Sequence, residues 1–147
     1  MPKYRKLTHC VYSCTYHIVW TPKYRFRVLE GKIKEIVESR IEQICSWYDV
    51  LIEEISVQPD HVHIVCSIPP KYSVSKIVGV VKGKTAVQIF SKKRYLKEKP
   101  YWGNHFWARG YFVSTVGLDE DMIKRYVRHQ EREEKRKEDD SQNYKLF

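Results

Sequence analysis

Long apolar segments are missing from this sequence. No hydrophobic run approaches the roughly 18 residues that a membrane-spanning helix needs. The opening stretch MPKYRKLTHC also lacks the apolar centre of a secretory signal peptide. These absences argue against a membrane-spanning or exported protein, and we expect a cytoplasmic one.

Cysteine is scarce, and its spacing is not that of a zinc knuckle or a dithiol redox motif. The four cysteines, Cys10, Cys14, Cys45 and Cys66, lie in apolar segments, and no two of them form a Cys-x-x-Cys pair. We therefore predict reduced and buried thiols rather than disulfides or zinc ligands.

Acidic residues are outnumbered by basic ones. The 147 residues include 18 Asp and Glu against 27 Lys and Arg, which gives a formal net charge of +9. This excess favours a polyanionic partner, either nucleic acid or an anionic membrane surface, and charge alone does not choose between them. The length fits one domain over residues 1–147, which would bury roughly 68 to 70% of its unfolded surface. A charged tail from about residue 137 is expected to fray.

Hydrophobic periodicity divides the chain into strands and helices. It predicts strands over 10–20, 51–58, 61–68 and 106–117, and amphipathic helices over 30–48, from Ser73 to Phe90, and over about 119–136. The order β-α-β-β-α-β-α predicts an α+β fold, a ferredoxin-like split βαβ antiparallel sheet with one additional C-terminal helix. Right-handed crossovers would place the first two helices on one face of the sheet, which leaves the last helix to cover the other.

Two histidines stand one residue apart in the third predicted strand, within QPDHVHIVCSIPP. Side chains alternate along a strand, so His61 and His63 share a face at a separation of roughly 6.5 to 7 Å, close enough to bind one metal ion. Half-buried histidines held by hydrogen bonds would give the same pattern. In the last predicted helix, Tyr126 and Gln130 are four residues apart and therefore also share a face.

A resemblance to a known family rests on the segments PDHVHI, PPKYSVSKIVGVVKGKT, HFWARGYFVSTVG and the late Y-x-x-x-Q. Together they resemble the single-tyrosine HUH transposases of bacterial insertion sequences, the insertion-sequence 200/605 group, over roughly residues 8 to 136. The resemblance implies that Tyr126 is the nucleophile and that His61, His63 and Gln130 are the metal ligands.

The same resemblance implies Mg²⁺ or Mn²⁺ as cofactor and single-stranded DNA with hairpin ends as substrate. It also implies that the DNA is cut and rejoined through a covalent 5′-phosphotyrosine. One nucleophilic tyrosine per chain cannot hold two cleaved ends, so we expect a homodimer. The resemblance implies that the tyrosine helix of one subunit completes the metal site of the other, while the sequence itself leaves docking within one subunit equally open.

Basic residues interleaved with aromatic ones follow the second predicted helix. Cations neutralise phosphates and aromatic faces stack on unpaired bases, a combination typical of single-strand binding. The candidate DNA contacts are Lys82, Lys84, Lys92, Lys93 and Arg94, together with Arg5 and Lys23 from two smaller basic patches, and the nearby aromatic residues are Tyr95, Tyr101, Trp102 and Trp107. A solvated helix face beside core aromatic residues would have the same composition.

Three other functions remain compatible with these residues. A non-catalytic ferredoxin-like module could bind nucleic acid while its histidines serve the fold. A replication or mobilisation nickase would use the same histidines and tyrosine, although such proteins are usually longer. A metal-dependent phosphodiesterase would use water in place of Tyr126.

Overall fold

The computed structural model describes residues 5–97 and 105–117 of the chain. Its strands are β1 (Arg5–Leu7), β2 (Cys10–Tyr12), β3 (Thr15–Trp20), β4 (Leu51–Gln58), β5 (His61–Ser67) and β6 (Phe112–Thr115); its helices are α1 (Gly31–Trp47) and α2 (Val74–Lys92), with short 3-10 turns at Lys23–Arg25 and Arg94–Lys97. This is the predicted α+β class. The predicted helix over 119–136 and the tail lie outside the described residues.

The main sheet contains four antiparallel strands in the order β4-β5-β3-β6, while β1 and β2 form a separate two-stranded sheet. Strand β3 is central because it pairs on one side with β5 and on the other with β6. Neither described helix is long and apolar enough to cross a membrane.

Helix α1 forms because apolar residues recur at helical spacing, and it buries Val37, Ile41 and Ile44. Helix α2 begins after Ser73, whose side-chain oxygen accepts a 3.0 Å hydrogen bond from the backbone N–H of Lys76, as an N-cap residue does. The helix continues through two glycines because its apolar stripe is buried against α1 and the sheet.

Both described helices pack on the same face of the sheet, as predicted. That face presents Ile18, Val62 and Ile64, each at most 1% exposed, to one continuous core shared with the two helices. Fully burying an aliphatic side chain of this size contributes about 1.5–3 kcal/mol, so this layer provides most of the driving force for folding. The opposite face of the sheet, here called the histidine face, carries His17, His61 and His63, whose neighbours along each strand point into the core.

The single strand predicted over 10–20 is wrong, because the structure divides this segment into β2 and β3. The chain leaves the β1–β2 hairpin at Ser13 and Cys14 and enters the main sheet at Thr15. The backbone carbonyl of Cys14 accepts a 2.9 Å hydrogen bond from the N–H of Ile68, which fixes the transition. Residues on both sides of the break have the same β-branched and aromatic character, so composition does not reveal it.

The predicted strand over 106–117 is also too long, since only Phe112–Thr115 pairs as a strand. Gly110 has φ +81, a left-handed conformation that interrupts extended pairing. Before this break, the segment touches the sheet through an isolated bridge between Pro22 and Trp107.

Candidate active site

Strand β5 places its two histidines on the histidine face. Val62 and Ile64 are 0% and 1% exposed on the core side, while His61 and His63 are half-buried on the other side. The alternation expected of a strand is therefore observed, and the two imidazoles are presented together.

A third histidine from the neighbouring strand joins them. Nδ1 of His17 lies 3.1 Å from Nε2 of His63, and the two rings stack with their centroids 5.4 Å apart. One of these nitrogens must carry the shared proton and the other must accept it. In the pairing of β3 with β5, Val19 lies directly opposite His63. His17 is two residues from Val19 and therefore on the same face of the sheet, diagonally across from His63.

Asp60 orients the other histidine of the pair. Its Oδ1 lies 2.9 Å from Nδ1 of His61, and its Oδ2 forms a 3.0 Å ion pair with Nη2 of Arg25. The hydrogen bond from His61, followed by the contact with Arg25, holds the pKa of the Asp60 carboxyl below its usual range. Because an ionised carboxylate can only accept, His61 donates from Nδ1, and in the neutral imidazole Nε2 is the nitrogen that carries the free lone pair.

This carboxylate–imidazole pairing is common behind metal ligands, since it fixes the tautomer and raises the basicity of the coordinating nitrogen. Within residues 5–97 and 105–117, no three His, Cys, Asp or Glu side chains come close enough to hold a metal ion. Tyr126 and Gln130 lie outside the described residues. The structure therefore places His61 and His63 on a common face and adds His17 and Asp60, which were not among the residues predicted for the site.

The sequence gives only weak indications that Asp60 and His17 belong to the site. Asp60 directly precedes His61, where it is equally typical of a turn between two strands. His17 stands in a strand-like run, but its proximity to His63 depends on the register between β3 and β5, which the sequence alone does not fix.

Two of the seven candidate DNA contacts donate side-chain hydrogen bonds to other described residues, and Lys23 and Lys84 lie over the rings of Tyr24 and Trp47. Nζ of Lys82 donates to the carbonyl oxygens of Ala108 and Gly110, at 2.8 and 2.9 Å, and burial lowers the pKa of this amine. The guanidinium of Arg5 donates to the carbonyl and hydroxyl oxygens of Ser67 and to the carbonyl of Asp49.

Within residues 5–97 and 105–117, the other basic candidates form no side-chain hydrogen bond or ion pair. Lys84, Lys92 and Arg94 are exposed, and Lys23 and Lys93 are half-buried. Among the aromatic candidates, Tyr95 is exposed, whereas Trp107 is buried with its Nε1 donating to Lys82 O and Thr85 Oγ1. Tyr101 and Trp102 lie outside the described residues.

Sequence comparisons point to one group of proteins. The family model described as "Transposase IS200 like" matches residues 10–130. The transposase for insertion sequence element IS200 of Salmonella typhimurium is 40% identical over 131 residues, covering 89% of this chain and 86% of that protein. The ISDra2 transposase TnpA of Deinococcus radiodurans is 31% identical over 121 residues, covering 82% of this chain and 86% of that protein.

Solved structures give the same grouping. The crystal structure of a putative transposase from Deinococcus radiodurans R1 matches with a TM-score of 0.69 and 28% identity, over 86% of this chain and 97% of that chain. A REP-associated tyrosine transposase bound to a REP hairpin matches with a TM-score of 0.55 and 14% identity, over 88% of this chain and 74% of that chain. The second likeness concerns the fold alone.

Proposed function

Since the chain belongs to the IS200-like transposase family, we propose that it cuts and rejoins single-stranded DNA at insertion-sequence ends in the cytoplasm. The observation that carries this proposal is the common placement of His61 and His63 on the histidine face, with Asp60 bonded to the first and His17 to the second. The described strand order is compatible with the split βαβ arrangement of the proposed fold.

His61, His63 and Gln130 form the proposed ligand set for Mg²⁺ or Mn²⁺. These ligands are neutral, so they leave the positive charge of a bound ion available to polarise a phosphodiester and offset its charge. The Nε2 lone pair of His61, freed by the bond from Nδ1 to Asp60, fits this role. Imidazole suits Mn²⁺ better than Mg²⁺, and we propose Mn²⁺ as the stronger binder.

Tyr126 is the proposed nucleophile. Its phenolate oxygen would form a bond to phosphorus as the bond from phosphorus to the 3′-oxygen breaks, and the departing 3′-oxygen would take up a proton. One phosphodiester replaces another, so a different 3′-hydroxyl can reverse the reaction without a nucleotide cofactor. Because a tyrosine phenol ordinarily has a pKa of about 10, it needs help to lose its proton, and nearby cations would supply it.

We propose that the active form is a homodimer. A transposition cycle must hold two cleaved ends, and each chain has one proposed nucleophile. The tyrosine helix can then complete the metal site of its own subunit or of the partner. Hairpins at the DNA ends would bind the basic residues that remain exposed, among them Lys84, Lys92 and Arg94.

A covalent-adduct assay tests the proposal. Wild type, Tyr126→Phe and His61→Ala are incubated with Mn²⁺ and single-stranded oligonucleotides copied from the DNA flanking the gene, and the products are separated on a denaturing gel. We expect a protein–DNA adduct with wild type only, while all three proteins bind the DNA. An adduct that persists with Tyr126→Phe would remove Tyr126 as the nucleophile.

Two further outcomes identify other functions. Cleavage without any adduct, undiminished in Tyr126→Phe, would indicate a phosphodiesterase that uses water. DNA binding by wild type with neither cleavage nor adduct would indicate a non-catalytic nucleic-acid-binding module. The oligomeric state is measured on the same samples by light scattering, where a monomer that forms the adduct and joins two ends would contradict the proposed dimer.

A further inference from the structure

The turn that follows β3 has an unusual backbone. Tyr24 has φ 58 and ψ 17, and Arg25 has φ 55, so two consecutive non-glycine residues adopt the left-handed conformation. This conformation is unfavourable for residues that carry a Cβ, and such strain is concentrated at functional sites, where the surrounding structure enforces it.

Several contacts enforce this turn. The N–H of Lys23 donates to the carbonyl of Phe106 at 2.9 Å, and the N–H of Arg25 donates to the carbonyl of Pro22 at 2.9 Å. The side chain of Arg25 is tied to Asp60 by the 3.0 Å ion pair. The backbone is therefore anchored on both sides of Tyr24.

The anchored turn displays an aromatic ring to solvent. Tyr24 is 70% exposed, and its ring is supported from one edge by Phe26, with the ring centroids 5.5 Å apart. Nζ of Lys23 lies 5.5 Å from the centroid of the same ring. An exposed ring beside a cation is the arrangement by which single-strand-binding proteins hold an unpaired base and its phosphate.

A cationic cleft lies next to this ring. It has a volume of about 260 Å³ and is lined by Lys23, His105, Trp107, Ala108 and Arg109, and none of these described residues is acidic. Among the ion pairs of the described residues, none involves Lys23 or Arg109. Two cations without acidic partners in a cleft of this size suit a backbone phosphate.

The turn is linked directly to the histidine site. Asp60 accepts from Arg25 through Oδ2 and from His61 through Oδ1, so a single carboxylate joins the turn and the proposed metal ligand. A nucleotide held at Tyr24 would therefore be connected, through Arg25 and Asp60, to a proposed ligand of the ion at the reacting phosphate.

We propose that Tyr24 is a base-stacking residue and that Lys23 and Arg109 hold a phosphate, together forming a subsite for the unpaired strand next to the scissile phosphate. This inference rests on the proposed function for the position of the scissile phosphate. It extends that function by assigning a substrate-binding role to residues that lie apart from the metal ligands.

Binding is measured by fluorescence anisotropy in EDTA with the flanking oligonucleotides, so that no chemistry takes place. Tyr24→Leu keeps apolar bulk but has no aromatic face, and loss of one stacked base should weaken binding roughly 5- to 150-fold. Tyr24→Phe keeps the ring and should bind like wild type. A 2-aminopurine base scanned along the oligonucleotide should be quenched at one position by wild type but not by Tyr24→Leu.

Tyr24→Gly separates binding from folding. Glycine accepts φ 58 without strain, so this variant should unfold at the wild-type temperature or above it while binding as weakly as Tyr24→Leu. A variant that loses stability and retains affinity would assign Tyr24 to the fold and overturn the proposal.

The phosphate contacts are tested by salt dependence. Lys23→Met and Arg109→Met should each reduce the slope of log affinity against log salt by roughly 0.7. Lys71→Met is the matched control, because Lys71 also lies beside a tyrosine ring but follows the opposite end of β5. An unchanged slope for both test variants would overturn the phosphate assignment.

These readouts are independent of the adduct assay. If wild type forms the adduct but Tyr24→Leu binds normally, the subsite is wrong and the proposed function stands. If no adduct forms but Tyr24 and both cations still determine affinity, the single-strand subsite stands and the proposed chemistry is wrong.

Discussion

Nδ1 of His17 and Nε2 of His63 share a hydrogen bond of 3.1 Å between adjacent strands of the sheet. If His63 donates the proton, its Nδ1 keeps the lone pair and is available to a metal ion, as Nε2 is in His61. His17 would then be a positioning residue that acts through His63.

Replacing His17 tests this role. We expect His17→Ala to raise the Mn²⁺ concentration for half-maximal adduct formation by about 10- to 100-fold, because partners behind metal ligands typically contribute that much. His9→Ala, at an exposed histidine in the β1–β2 turn, is the control. A variant that requires less Mn²⁺ than wild type would show that His17 competes with the ion for Nε2.

Asp60 should make stability depend on pH in the acid range. Its pKa is lowered in the folded protein, so its ionised form stabilises the fold above the unfolded pKa of about 3.9, and this contribution is lost as pH falls through the lower folded pKa. The unfolding temperature of wild type should therefore drop more steeply below pH 4 than that of Asp60→Asn. Glu35→Gln, at an exposed ion pair on α1, should follow wild type. Parallel curves for wild type and Asp60→Asn would contradict this assignment.

Two lysines of α2 should respond differently to the same substitution. Lys82→Met removes two hydrogen bonds to carbonyl oxygens, so we expect the free energy of unfolding to fall by about 1–3 kcal/mol. Lys84 is exposed, so Lys84→Met should leave stability unchanged and weaken DNA binding. Urea unfolding and anisotropy on both variants give the two readouts. A stable Lys82→Met protein with weakened DNA binding would instead place Lys82 in the DNA interface.

The cysteines should differ in reactivity. All four are described, and the prediction of burial is confirmed for Cys45 and Cys66 but wrong for Cys10 and Cys14. Burial raises the pKa of Cys45 and of Cys66 to about 12. At pH 8, iodoacetamide should leave these two unmodified in the native protein, because few thiolates form and the core excludes the reagent. Cys10 and Cys14 are half-buried and should be labelled first. Mass spectrometry before and after denaturation checks this order, and early labelling of Cys66 would contradict the burial of β5.

The elements predicted most accurately are those whose own residues show a clear hydrophobic periodicity and end at a capping or turn residue. Helix α1, strand β4, strand β5 and the Ser73 cap have such signals, and their observed limits differ from the predicted ones by at most a residue or two. The shared face of His61 and His63 follows from alternation alone. These features depend on neighbours along the chain.

Features that depend on distant parts of the chain were not predictable in the same way. The break at Ser13 and Cys14 depends on which strand each half joins, and the His17 contact depends on the β3–β5 register. The left-handed conformation of Tyr24 is enforced by tertiary anchors and not by any local turn signal.

The placement of both described helices on one face of the sheet separates the residues that hold the protein together from those proposed to act on DNA. Substitutions at the exposed positions of the histidine face, such as Gln58 and Phe112, need not disturb the packed layer behind them. Under the proposed function, preference for one DNA sequence over another can therefore change at this surface while the scaffold is retained.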